Sequence, residues 1–463
     1  MSKYQSYPEY KDSGVEWLGE IPSHWQMISI KYVAQLTPKK SAIPKDKMSK
    51  VCSFVPMEKL KLNKLTLDEE VLVNQVYDGY TYFEDEDVLI AKVTPCFENK
   101  NMAVASGLAN SIGFGSSEIY VLRCNRKANN QFLFYRLQED SFMAIATAAM
   151  TGAGGLKRVP AETLNTYQFG LPNWKEQIKI SSFLEHETAK IDNLLEKQQQ
   201  LIELLKEKRQ AVICHAVTKG LNPDVPMKDS GVEWLGEVPE HWASVRVKQI
   251  SSFISSGPRG WSDFVTDEGS EIFLQSGDLN NELGLQLDKA KRVSPPKNAE
   301  GVRARLAVGD VVICITGANT GRVAIVSELS QTTYINQHLS LIRPQALNVN
   351  SAFLGYSLAS SAGRSFFEVT QYGLKEGLSL SNVSEAPLAL PPRHEQDSIV
   401  KYLESIGNNY DNLSRISRVQ VELLKERRAA LISAAVTGKI DVRNWVAPTN
   451  DTEVNQEPQE ATA

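Results

Sequence analysis

The chain has 463 residues, 42% of them hydrophobic and 23% charged, and a formal net charge of −5. That length predicts two or more domains with cores of their own, and the acidic balance excludes the global basic field of a free-standing nucleic-acid binder, so any DNA contact must come from local patches. The five cysteines (Cys52, Cys96, Cys124, Cys214, Cys314) are widely spaced without a C-x-x-C pair, which argues against a disulfide framework or structural zinc and for a reducing compartment.

The amino-terminal MSKYQSYPEYKDSG has no apolar centre to serve as a signal peptide, and no run approaches the roughly 18 apolar residues that cross a bilayer. A cytoplasmic protein without membrane contact is expected. The ten residues KDSGVEWLGE at 11–20 return letter for letter at 228–237, 217 positions on (228 minus 11). Extended to Trp25 and Trp242, the two stretches differ at two places. Residues 26–170 read as mixed α/β: DVLIAKV at 87–93 has the apolar run of a buried strand, and NQFLFYRLQ at 130–138 the pattern of a helix.

From Leu171 a long helix is predicted. With Leu184 as an a position the sevenfold series runs Ile191, Gln198, Leu205, Val212, and Ile180, Leu194, Leu201, Leu195 and Ile202 supply the d and e side. The second repeated segment leads into residues 243–389, again mixed α/β, with a strand in DVVICIT at 310–316 and a helix at 351–360. A second long helix from Leu390 lies 219 residues after the first (390 minus 171), its a series being Leu403, Tyr410, Ser417, Leu424 and Leu431. Gln198 and Ser417 place a polar residue at the middle a position, a device that sets coiled-coil register. The two helices are expected to pair through Leu184, Ile191, Leu205, Leu403, Tyr410 and Leu424; the plainer alternative packs each on its own domain. About 40 helical residues span roughly 60 Å, enough for a rigid spacer.

The expected division is therefore 1–170, 171–222 (first helix), 223–389, 390–441 (second helix) and 442–463, the last a polar, acidic, disordered tail. The fold class is α/β (α+β): two mixed domains and two long antiparallel helices, produced by a tandem duplication of a domain-sized unit with pseudo-twofold symmetry.

Catalytic signatures are sparse. There is no phosphate-binding G-x-x-x-x-G-K-[ST], no N-P-P-aromatic or D-P-P-aromatic loop and no glycine-rich turn for a methyl donor. Asp87, Glu98 and Lys100 have the D then E-x-K order of magnesium nucleases, in which carboxylates hold the metal beside the phosphate, but the second copy offers only Asp310. No H-x-x-x-H pair occurs, and no metal site is expected.

Binding chemistry is richer. Lys39, Lys40, Lys45, Lys47 and Lys50 concentrate in TPKKSAIPKDKMSK, and Lys157 and Arg158 follow the glycine turn of TGAGGLKR; such loops can track phosphates. The second copy offers Arg259 and Trp261, Arg303 and Arg305, Asn319 and Arg322, and Gln371, Tyr372 and Lys375. Arg reads guanine, and Asn or Gln adenine, in the major groove. Trp17, Trp25, Trp234 and Trp242 are candidate anchors for a partner, or alternatively packing for the ends of the helices.

The segment YKDSGVEWLGEIPSHW, its return at 228–242, the LP…EQ…I…L entry to each helix and the exits ELLKEKRQAVICHAVTKG and ELLKERRAALISAAVTGK resemble the specificity subunit of type I restriction-modification systems. The resemblance covers the whole chain except the acidic tail. It implies a non-catalytic, cytoplasmic protein with two target recognition domains, each reading half of a bipartite double-stranded DNA target. Its implied partners are two modification (methyltransferase) subunits and, through them, restriction subunits. No cofactor is implied on this chain; S-adenosylmethionine, ATP and magnesium belong to the partners. The alternatives are a nuclease built on Asp87, Glu98 and Lys100, or a coiled-coil scaffold without DNA contact.

Overall fold

The structure, a computed structural model, describes residues 4–295, 299–371 and 377–448. Tyr372 and Lys375, and all of the expected tail beyond residue 448, lie outside the described residues. The rest forms two compact units, one from the chain up to Gln198 and again from Val419, the other Gln199–Arg418. The expected boundaries kept each long helix whole, whereas each unit takes half of both.

In the first unit the repeated segment is a hairpin, Tyr10–Asp12 against Glu20–Pro22. Its turn is closed by Ser13 N–H donating to Gly19 O (3.0 Å) and Gly14 N–H to Asp12 Oδ1 (2.9 Å). Two four-stranded sheets follow. One runs Met102–Val104, Val88–Ala91, Ile119–Cys124, Ala34–Leu36, antiparallel throughout. The other runs Glu70–Leu72, Val51–Val55, Ile112–Gly115, Thr81–Glu84, with a parallel pairing at its centre. All four residues of Val88–Ala91 are buried, which is why the run lacks alternation. Helices Asn130–Leu137 and Asp140–Ala148 cover the first sheet, and Asn129 caps the former by accepting from Phe132 N–H.

The second unit repeats this plan. Met227–Asp229 pairs with Glu237–Pro239, and the turn bonds recur as Ser230 N–H to Gly236 O (3.0 Å) and Gly231 N–H to Asp229 Oδ1 (2.9 Å). The sheet Ser251–Ser256, Leu339–Pro344, Val311–Cys314, Val323–Ile325 is antiparallel, and Lys291–Val293, Glu271–Leu274, Thr333–Ile335 again contains one parallel pairing. Helices Ser351–Ala359 and Ser361–Thr370 follow, capped by Asn350 and Ser360.

The long helices are Trp174–Lys219 and Arg393–Val436. In the first unit Asp192 bonds Arg428 (2.8 Å), while Lys179 donates to Trp445 O (3.1 Å). In the second, Arg209 meets Asp411 (3.7 Å), and Gly220 approaches Glu395. As one number falls the other rises, so the packed segments run antiparallel in both units. Asp192 and Asp411 are 219 apart, as are Arg209 and Arg428; the same ion pair recurs with the helices exchanged.

The a positions Leu184, Ile191, Leu205, Leu403 and Ser417 are buried, and Tyr410 and Leu424 half-buried. The d expectation holds at Ile180, which is buried, and is corrected at Leu194 and Leu201, which are 47% and 39% exposed, whereas Thr188 and Val421, at e, are buried. The helices thus rest on an a/e stripe, with Arg209 and Arg428 at its e positions. The expected start of the tail is also corrected. Val442 is buried, and Trp445 packs edge-on against Phe183 at 5.6 Å between centroids, because these apolar residues complete the first unit's core. All five cysteines are free thiols.

Candidate nucleic-acid interface

In the first unit, strand Val88–Ala91 runs out into a loop at 92–100, and the hairpin Thr151–Ala153 with Leu156–Arg158 docks on it. Thr94 N–H donates to Lys157 O (3.0 Å), Lys157 N–H to Thr94 Oγ1 (3.0 Å), and the Thr94 hydroxyl to Gly155 O (2.8 Å). Every hairpin residue from 151 to 158 is exposed. Lys157 stands free on it. Arg158 does not: its guanidinium makes a bidentate pair with Glu118 (2.8 and 2.9 Å) and holds that carboxyl below its ordinary range. Arg158 therefore pins the hairpin instead of standing free for a phosphate.

The lysine-rich stretch occupies two short 3-10 turns, Lys40–Ala42 and Lys45–Lys47, anchored beneath by Ile43 and Met48. Lys39, Lys45 and Lys50 are exposed and Lys47 half-buried. Lys40 turns back, donating to Tyr77 O at 2.7 Å with its charge 5.9 Å from that ring. Among the described residues no hydrogen bond joins this stretch to the hairpin.

The second unit builds the corresponding surface from different side chains. The turn after strand Val311–Cys314 carries Asn319 and Arg322. Asn319 Nδ2 donates to Ser276 O (3.2 Å) and Arg322 Nη1 to Leu279 O (2.9 Å), so both shape the loop before they can read anything. A groove of about 250 Å³ borders this turn, lined by Asn280, Asn281, Asn319, Arg322, Arg364 and Gln371 among others. A second hollow of similar volume presents Gln275, Asn336, Gln337 and His338 over Trp261 and Phe273. Trp261 is corrected from a surface aromatic to the floor of that hollow: it is buried against Tyr334, 5.4 Å between centroids. Arg259 is exposed nearby in sequence. Arg303 and Arg305 are exposed but stand apart, Arg305 bridging Tyr334 at the edge of the other sheet. Sequence reasoning missed Asn281, Arg364, Gln337 and His338. No spacing rule links them; only the fold gathers these segments.

The nuclease alternative does not assemble. Asp87, 2% exposed, accepts from Arg123 Nε (2.8 Å) and Nη2 (2.7 Å) and from Glu84 N–H (2.7 Å). Lys100 donates to Gln138 O (2.8 Å) and Asp140 (2.9 Å), and Glu98 points to solvent. Asp310 repeats the clamp with Arg343 (2.7 Å from both Nε and Nη2). The shared aspartate is a structural lock on the start of the central strand.

Of the four tryptophans proposed as anchors, Trp25 and Trp242 are corrected to core residues. Trp25 donates to Glu176 (2.9 Å), which also takes His24 (2.8 Å) and the Tyr7 hydroxyl (2.7 Å). Trp242 and His241 treat Glu395 alike, at 3.2 and 2.9 Å. Both glutamates lie in the first turn of a long helix, so the tryptophans tie frame to helix. Trp17 is 38% exposed, stacked on Tyr167 at 5.0 Å, and borders a hollow of about 350 Å³ with Ile145 and Glu162. Trp234 is half-buried.

Comparison with known proteins bears on what this surface does. Residues 22–204 and 239–422 each match the family described as Type I restriction modification DNA specificity domain. The chain is similar to the type I restriction enzyme EcoEI specificity subunit of Escherichia coli, 32% identical over 164 residues. To the EcoAI specificity subunit of the same organism it is 33% identical over 165 residues. Each match covers 35% of this chain and 27% of the relative. Similarity to the MjaVIII specificity subunit of Methanocaldococcus jannaschii is 21% over 325 residues, 69% of this chain and 72% of that one. The fold is shared with a chain of the structure described as "Structural basis underlying complex assembly and conformational transition of the type I R-M system". That match has a TM-score of 0.72 and 19% identity, covering 91% of this chain and 99% of that one. The HsdS subunit from Thermoanaerobacter tengcongensis matches with a TM-score of 0.51, 19% identity and coverage of 91% and 98%.

Proposed function

The chain belongs to the type I restriction-modification DNA specificity family, and we propose that its two units each read one half of a bipartite double-stranded DNA target for a methyltransferase complex. The carrying observation is one scaffold with two surfaces. The sheets, the Asp–Arg clamps and the helix caps recur, while the loops at the ends of Val88–Ala91 and Val311–Cys314 differ in every side chain that could face a base. Lys39, Lys45, Lys47 and Lys157 supply phosphate contacts in the first half, and Arg259, Arg303 and Arg305 in the second.

The frame serves a different need. Ser13, Gly14 and Gly19 are required by the turn, but Lys11, Glu16 and Glu20 are exposed, as are Lys228, Glu233 and Glu237. Folding alone does not demand that exposed residues stay identical in two copies. Two copies of one partner do. We assign these faces, with Trp17 and Trp234, to two modification subunits, through which restriction subunits join. S-adenosylmethionine, ATP and magnesium are then held by the partners, and the complex works in the cytoplasm; among the described residues no helix is long and apolar enough to cross a membrane. The test is to exchange residues 26–170 for those of another family member and map methylated sites. One half-site should change. Change in both halves, or in neither, contradicts the assignment of one unit to each half.

A further inference from the structure

We propose that Arg364, on the helix Ser361–Thr370 of the second unit, and Gln371, the residue that ends it, are specificity-determining residues that read base edges in that unit's half-site, a step that rests on the DNA-specificity reading above. The helix Ser361–Thr370 is fixed from below. Ser360 caps it by accepting from Gly363 N–H, and Ala362, Gly363 and Phe367 are buried. Arg364 lies within this helix, and Gln371 is the extended residue that ends it (φ −63°, ψ 137°). Both line the groove opposite the turn that carries Asn319 and Arg322.

The distribution of hydrogen bonds separates holders from readers. Asn319 and Arg322 spend donors on the carbonyls of Ser276 and Leu279, which makes them positioning residues. Among the described residues the side chains of Arg364 and Gln371 have no hydrogen-bond or ion-pair partner. Their chemistries suit the major groove, where Arg makes a bidentate pair with guanine and Gln with adenine, and a helix is the element that fits that groove.

Comparison of the two copies supports the same choice. The caps Asn129 and Asn350 are 221 apart (350 minus 129), and at that offset Phe132, Leu133 and Tyr135 match Phe353, Leu354 and Tyr356. These three packing positions, all on the preceding helix, are kept. Arg364, Glu368 and Gln371 instead correspond to Met143, Thr147 and Met150; Met143 is buried in the first unit's core, and the support differs as well, Phe142 and Ala146 standing where the second unit has Gly363 and Phe367. A polar side chain lining the groove at position 364 is therefore particular to the second unit, as a residue that reads only that half-site requires.

The test uses the full chain with its modification subunit in cells lacking other such systems, comparing wild type with Arg364→Ala, Arg364→Lys and Gln371→Ala by methylome sequencing. Copurification of the subunits checks that each variant still assembles. Both Arg364 variants should relax one base position, and Gln371→Ala another in the same half-site, each by about 10-fold or more in discrimination. That half-site should be the one left unchanged by exchange of residues 26–170. Lysine keeps the charge but not the fork, so rescue by Arg364→Lys would mean a phosphate contact and would overturn the assignment. An unaltered motif in all three variants, or a uniform fall in methylation, would overturn it too. A wild-type complex that methylates no two-part motif would instead refute the DNA-specificity reading, and this inference with it.

Discussion

Trp17 and Trp25 lie in the same repeated segment and have opposite environments, one stacked in the open on Tyr167 and one sealed around Glu176. Trp25→Ala should cost about 3–5 kcal/mol in denaturant unfolding, the usual range for a fully buried aromatic. Trp17→Ala should leave stability nearly unchanged and weaken copurification with the modification subunit. Equal loss of stability in both would remove the distinction. Glu118 offers a pH test. Arg158 lowers its folded pKa, so its contribution is present above the unfolded value of about 4.3 and is lost as pH falls through the folded one. Hydrogen exchange should show hairpin Leu156–Arg158 loosening below about pH 4, and Glu118→Gln should abolish that dependence. Residue roles were the least legible feature of the sequence. A tryptophan beside a repeated histidine looks alike as anchor or as core, and Arg158 looks like a phosphate ligand until Glu118, 40 residues earlier, is brought opposite by the fold.

The long helices were legible in existence, length and pairing, because a sevenfold apolar series and a 219-residue offset need no tertiary knowledge. Which flank joined the a positions was not. Apolar residues at d (Leu194, Leu201) and at e (Leu195, Ile202) suggest both flanks, yet Asp192 and Asp411 draw Arg428 and Arg209 inward and leave Leu194 and Leu201 in solvent. The polar a position is legible and has a cost: among the described residues the buried Gln198 Oε1 has no partner. Gln198→Leu should raise stability by about 1 kcal/mol, read as a higher midpoint in thermal unfolding. A lower midpoint would mean that the amide is satisfied. The helix exits are tightly set. Gly220 and Gly438 have φ near +78° and +77°, and a Cβ would lie 3.2 Å from Trp242 in one and 3.3 Å from Trp25 in the other. Alanine at either should destabilise its own unit by about 1 kcal/mol or more.

At the scale of the molecule the duplication was plain in the letters, and with it the two mixed units and the two helices. The division of each helix between units was not, because sequence order hides that the carboxy-terminal half of the second helix folds with the first unit. The surface proposed to face DNA was half legible: the glycine-bearing turns announced themselves, whereas Arg364 and Asn281 join the groove only through packing. If the helices set the spacing of the half-sites, one heptad inserted at corresponding places in both should lengthen the unspecified gap by about 10 Å, roughly three base pairs. An unchanged gap in the mapped motif would show that something else sets it. The most direct measurement is methylome sequencing of cells that lack their own type I systems and carry this chain with its modification subunit, beside cells carrying the modification subunit alone. Methyladenine in a two-part motif with a fixed gap, present only with this chain, is the expected result; a stable complex that adds no new motif would contradict DNA reading by the two units.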